Sequence, residues 1–226
     1  MRAYELTEAP TYFYHGTSDE TAAKAILNIG TLIPGDHSGE VHNMTPMVNR
    51  TYITSDLGYA LIYALGGNYV GSKTSINAND DEYGYIFKIH KGNIKNRIPD
   101  EDVVGEKARD IVSGDDSHNF QDAETDELND LVSYAFNNVI EPDEDEDFSS
   151  PYDRFIDHEY EFFAVVGKII LSRGSKRLIA SFRRISSHHS GEGAMIIDHA
   201  WKFQKKEAAN MQRDGSDFFQ HATQIK

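Results

Sequence analysis

The chain opens its ordered pattern at Thr11–Tyr14, a run of strand-forming aromatic residues that meets His15-Gly16, where glycine allows a sharp change of direction. A strand is predicted to end there. From Asp19 to Ile29 the apolar residues Ala22, Ala23, Ile26 and Leu27 fall at helical spacing, with Ser18 or Asp19 placed to cap the start and Gly30 to stop the helix. Residues 34–49 carry turn formers and no period, as a long flap-like loop would. Thr51–Thr54 resumes as a strand, and Ser55-Asp56 starts a second helix through Leu65 that Gly66-Gly67 ends.

After a polar loop through Asp81, Tyr85–His90 alternates as a strand, and Ile86 suggests partial burial of both its faces. Residues 100–123 read mostly as loop. Glu124–Ile140 places Leu128, Leu131, Val132, Ala135 and Val139 on one helical face, and the acidic run Glu141–Asp147 reads as an exposed connection. Glu161–Leu171 (EFFAVVGKIIL) gives the strongest strand signal, with Arg177–Ile185 as its neighbour across a turn at Arg173-Gly174-Ser175. Ser186–Gly193 reads as loop. Met195–Met211 reads as a helix with Ile196, Ile197, Ala200, Trp201 and Ala208 as its stripe, followed by a loosely held end.

Composition narrows the functional classes. The 226 residues contain no cysteine, which excludes disulfides and thiolate metal sites and suits a cytoplasmic protein. No stretch approaches the roughly 20 apolar residues that span a bilayer, and no signal-peptide pattern opens the chain, so no membrane partner is expected. The net charge of −15 is uneven: residues 1–150 hold 10 Lys and Arg against 28 Asp and Glu, residues 151–226 hold 12 against 9. Such a balance opposes a broad grip on nucleic-acid backbones. The stretch Lys168, Arg173, Lys176, Arg177, Arg183 and Arg184 reads as a solvated basic face that could meet phosphate. The sequence has no glycine-rich dinucleotide fingerprint and no lysine-bearing phosphate loop. His188-His189, adjacent on the chain, would face opposite ways on a strand and lack a third ligand nearby, so no metal site is expected.

Three segments carry the candidate chemistry. Tyr14–Ser18 (YHGTS) sets a histidine and a glycine at a strand end before a helix, and a planar amide is best held by backbone groups that only a residue without a side chain lets it approach. Thr51–Ala64 (TYITSDLGYALIYA) carries Tyr52, Tyr59 and Tyr63. The last two stand four apart on a helix, where Tyr63 can offer its ring to a flat heterocycle and Tyr59 reads as a core aromatic. In Asp157–Ile169 (DHEYEFFAVVGKI), Glu159 and Glu161 are two apart and would share a face on a strand.

Together these segments resemble the ADP-ribosyltransferase superfamily, in the His-Tyr-Glu branch that includes diphtheria-type toxins and the poly(ADP-ribose) polymerases. The resemblance spans roughly residues 11–171, with 66–83 and 100–156 unmatched. It implies an α+β fold of two small antiparallel sheets packed with flanking helices around an NAD cleft. The catalytic domain would be 1–185, with a loop and helical tail at 186–226 packed on it. It also implies NAD as co-substrate, no metal, and NAD contacts from His15, Gly16, Thr17, Ser18, Tyr52 and Tyr63. The histidine would donate to the nicotinamide ribose, the glycine would hold the carboxamide, and the tyrosine at 63 would stack on nicotinamide. The catalytic set would be His15, Tyr52 and a glutamate. Glu161 immediately precedes the apolar strand, whereas Glu159-Tyr160 is similar to the polymerase order. Their spacing also resembles the Glu-x-Glu of the arginine-modifying branch, which has an arginine where this chain has His15.

The activity so implied is cleavage of the nicotinamide-ribose bond with transfer of ADP-ribose to an acceptor; a protein side chain, a nucleic acid, a small molecule and water all suit such a site, and the acidic balance favours a protein or a small molecule, a protein first. Two alternatives share the fold: an RNA 2'-phosphotransferase, whose basic phosphate grip is not evident here, and a module that binds ADP-ribose or a partner without turnover.

Overall fold

The computed structural model describes residues 10–34, 47, 49–67, 82–114, 122–140, 150–173 and 176–226. In chain order the elements are β1 (Tyr12–Thr17), α1 (Glu20–Ile29), β2 (Thr31–Leu32), β3 (Arg50–Thr54), α2 (Leu57–Ala64), β4 (Tyr83–His90), β5 (Lys95–Pro99) and α3 (Glu101–Val112). There follow α4 (Asp122–Asn138), α5 (Pro151–Asp157), α6 (Glu159–Arg173), α7 (Lys176–Ile185), β6 (His188–Glu192), β7 (Met195–Ile196), β8 (His199–Gln204), α8 (Phe218–His221) and β9 (Thr223–Gln224). Short 3-10 helices cover Lys91–Asn93 and Lys205–Asn210. The class is α+β, as expected. The described residues fall into two compact units, one drawn from residues 10–34, 49–67, 82–97 and 187–226 and the other from 47, 98–114, 122–140, 150–173 and 176–186.

The first unit holds a seven-stranded sheet in the order β5-β6-β3-β1-β4-β8-β9, with β2 and β7 pairing as a separate ribbon. There are thus two sheets as anticipated, but one is large and one small. The difference in size arises from residues 186–226, anticipated as loop and helix, which supply three strands to the large sheet and one to the ribbon. In β8 the chain alternates, with Trp201 and Phe203 on one face and Ala200 and Lys202 on the other, and pairing with β4 selects the strand over the helical stripe. β1 runs on through His15 and Gly16 to Thr17 instead of stopping, because β4 pairs with it along its whole length from Tyr12↔His90 to Thr17↔Tyr85.

Helices cover both faces, which is why β4 buries Tyr85, Ile86, Phe87 and Ile89 alike. On one face Ala60, Leu61 and Ala64 of α2 pack with Ile86, Trp201, Phe203 and Phe218. On the other, Ala23 of α1 packs with Phe13, Ile53, Phe87, Ile89 and Ile197. α1 begins and ends where its sequence signals stand: Asp19 accepts from the Thr21 and Ala22 amides, and Gly30 takes φ 73°.

The second unit is helical, and it corrects the strands anticipated at Glu161–Leu171 and Arg177–Ile185. In α6 the buried side chains are Phe162, Phe163, Val166, Ile170 and Leu171, spaced three and four apart. In α7 they are Leu178, Ser181 and Phe182. A long apolar run reads alike for a buried strand and a buried helix, and here length decides, since α6 runs 15 residues. Phe136 and Phe155 pack on Phe162, with ring centroids 4.7 and 5.1 Å away. α4 forms as anticipated, with Leu128, Val132 and Ala135 inward, although Phe136 and Ile140 rather than Val139 complete the face. The acidic run Glu141–Asp147 and most of the 34–49 loop lie outside the described residues.

Residues 101–112 are helix rather than loop, started by Asp100, whose carboxylate accepts from the Asp102 amide. Burial, and next the neighbouring Glu101 charge, push the Asp100 carboxyl up to about 7. Its folded-state pKa then exceeds the unfolded value near 3.9, so the folded chain binds the extra proton between those limits and stability falls as pH rises through that window. Asp100→Asn keeps the cap and removes the charge. Thermal unfolding should show the wild type losing on the order of 2 kcal/mol between pH 5 and 7.5 relative to the variant, and parallel curves would contradict the assignment.

Candidate functional site

The residues singled out in the sequence divide between the two units. His15, Gly16, Thr17, Ser18, Tyr52 and Tyr63 belong to the first unit, and Glu159 and Glu161 to the second. Within the first unit the site is built where β1 and β3 separate. These strands are in register only at Tyr14↔Thr54, whereas β1 and β4 are paired over six residues. At the point of separation the His15 ring takes over a backbone role: its Nδ1 stands 3.0 Å from the Tyr52 carbonyl oxygen. A carbonyl oxygen only accepts, so Nδ1 carries a proton and donates it to that carbonyl.

Gly16 is required for a reason the sequence did not show. A Cβ there would lie 1.9 Å from the Ala60 carbonyl oxygen, so the residue is glycine to let the α2 backbone rest on β1. Thr17 turns the chain into α1, its Oγ1 accepting from the Asp19 amide at 3.2 Å. Ser18 sits beside Gly66 at the end of α2.

α2, on the sheet face that Tyr14 and Gly16 present, carries the aromatic candidates. Tyr59 and Tyr63 are 37% and 53% exposed, which corrects the reading of Tyr59 as a core residue. Their ring centroids are 5.4 Å apart and edge-on. Tyr59 also meets His188 of β6 at 3.9 Å between centroids. The sequence missed β6, because HHSGE is short and polar and its burial comes from the strands on either side. The period-two signal was nonetheless present, for His188 is half-buried while His189 faces the other way, fully buried with its ring 5.4 Å from Phe13.

The β3–β6 register sets Thr54 opposite His188, Tyr52 opposite Ser190, and Arg50 opposite Glu192, so these six side chains share one face. The Arg50 guanidinium donates to the Asn96 carbonyl at 2.8 Å, and the Asn96 amide donates to Glu192. Ser190 is fully buried, and its hydroxyl has no hydrogen-bond partner among the described residues. A buried hydroxyl left so costs about 1–3 kcal/mol. Ser190→Ala should therefore raise the melting temperature by a few degrees in thermal unfolding. A fall would show that the hydroxyl has a partner.

Glu159 and Glu161 stand exposed in the first turn of α6, where carboxylates suit the positive end of the helix. The Glu161 carboxylate is 3.8 Å from His158 Nδ1. On a helix, residues two apart point about 200° apart, so the two glutamates do not share a face as they would on a strand. No helix of the described residues is long and apolar enough to cross a membrane. Compared with family models, curated proteins and solved structures, the chain matches none.

Proposed function

We propose that the chain is an NAD-dependent ADP-ribosyltransferase. The observation that carries this reading is the His15–Tyr52 hydrogen bond where the short β1–β3 pairing ends, together with the exposed pair Tyr59 and Tyr63 on α2 of the same unit. Two exposed tyrosines on one helix face suit a flat ring, for which stacking adds about 0.5–1.5 kcal/mol beyond buried area. An imidazole with a fixed tautomer suits a sugar hydroxyl. These residues fit the nicotinamide riboside half of NAD, with Gly16, Thr17 and Ser18 at its border.

In the reaction, the bond between the anomeric carbon and the nicotinamide nitrogen breaks, and nicotinamide leaves with the electron pair. The acceptor atom bonds to that carbon and gives up its proton. Positive charge grows on the sugar in between, as in glycoside hydrolysis, and a carboxylate stabilises it. His15 and Tyr52 hold the sugar while Tyr63 holds the ring, which confines the reacting atoms to one geometry. By the resemblance of Asp157–Ile169 alone, Glu161 would be that carboxylate, with Glu159 as the alternative on the same helix.

The acidic charge of residues 1–150 favours a protein acceptor over a nucleic-acid one, and the absence of cysteine suits the cytoplasm. Incubation with labelled NAD and candidate acceptors should release nicotinamide and leave label that mass spectrometry locates on a protein. NAD binding in isothermal titration without nicotinamide release would instead make this a binding module.

A further inference from the structure

Resting on the NAD reading, we propose that His188 is a positioning residue of the ring site: packed on Tyr59, it fixes that ring and through it Tyr63, so that the aromatic wall is set before the nicotinamide arrives. Three elements of the first unit converge here. β3 and β6 place Thr54 and His188 in register, and α2 lays Tyr59 against the imidazole, centroids 3.9 Å apart at 66°. Tyr59 in turn meets Tyr63 edge-on, 5.4 Å apart at 66°.

Exposed tyrosines four apart on a helix keep considerable rotamer freedom, and a ligand that must order them gives up part of its binding free energy. Packing by a strand side chain removes that freedom in advance. β6 can do this because its own position is fixed by the β3 ladder from Arg50↔Glu192 to Thr54↔His188, and by His189 buried on the opposite face. The half-buried imidazole thus acts through its ring, as packing, and the wall consists of Tyr59, Tyr63 and His188.

The test titrates the full chain with benzamide, which has the ring and carboxamide but no sugar, and separately with NAD. His188→Ala should weaken both about two- to twelvefold, the worth of one aromatic edge contact, with little change in melting temperature. His188→Phe, which keeps a ring against Tyr59, should restore both affinities to within twofold of wild type. Where the alanine variant does not fold, His188→Gln fills the volume without a ring and carries the alanine expectation.

Wild-type affinity in the ringless variant overturns the proposal, whatever the melting temperature does. Failure of phenylalanine to rescue overturns it too, since the imidazole would then act through its nitrogens. A wild type that binds neither ligand sinks the NAD reading itself and this proposal with it. A wild type that binds both and is matched by His188→Ala sinks the proposal alone.

Discussion

His15→Ala should lower kcat/KM for nicotinamide release by about a hundredfold or more, the scale of losing one preorganised polar contact to a developing charge. The substitution removes the ring whose Nδ1 bonds the Tyr52 carbonyl 3.0 Å away, and so removes both the proposed sugar contact and the link that sets Tyr52 relative to β1. His15→Phe separates the two effects. The His15 ring already lies over Phe87, centroids 6.4 Å apart and planes within 29°, and a phenyl ring keeps that packing without any polar atom. The phenylalanine variant should therefore melt within a few degrees of wild type and still lose the activity. If it keeps half of the wild-type rate, the site is not built on His15.

The sequence displays the same region well, for reasons that are local. α1 announces itself by Asp19 and Gly30, and both act as read, the first as cap and the second in the left-handed conformation. The alternation from β3 into α2, and of β4, reflects a sheet with helices on both faces. Tyr52 and Tyr63 were placed on the right elements for this reason. β6 stayed hidden because nothing in HHSGE is apolar. It is a strand because β3 pairs with it, and that partner lies more than a hundred residues upstream. α6 was hidden for the opposite cause: a helix central to its own unit is apolar on most of its surface, and its period is drowned. Gly16 shows a third kind of limit. Its neighbour, the Ala60 carbonyl, is a tertiary contact, and a motif-based reading sees only the glycine.

The change from strand to helix at residues 159–173 sharpens what glutamate replacements should do. On a strand both carboxylates would face one way, and each single variant would leave a substitute in place. On α6 they diverge by about 200°, so at most one can meet a given sugar. Glu161→Gln, which removes the proposed carboxylate, should lower kcat about a hundredfold or more, while Glu159→Gln should stay within a few-fold of wild type. Glutamine keeps the size and the helix start, so melting temperature should barely move. Glu192→Gln serves as the control in the sheet, since that carboxylate shares the Tyr52 face and already accepts from Asn96. A loss confined to Glu192→Gln would move the charge-stabilising role to β6, next to Ser190 and His188. Near-normal turnover in all three variants would mean that no carboxylate among them steadies the sugar, and the transfer mechanism would be wrong.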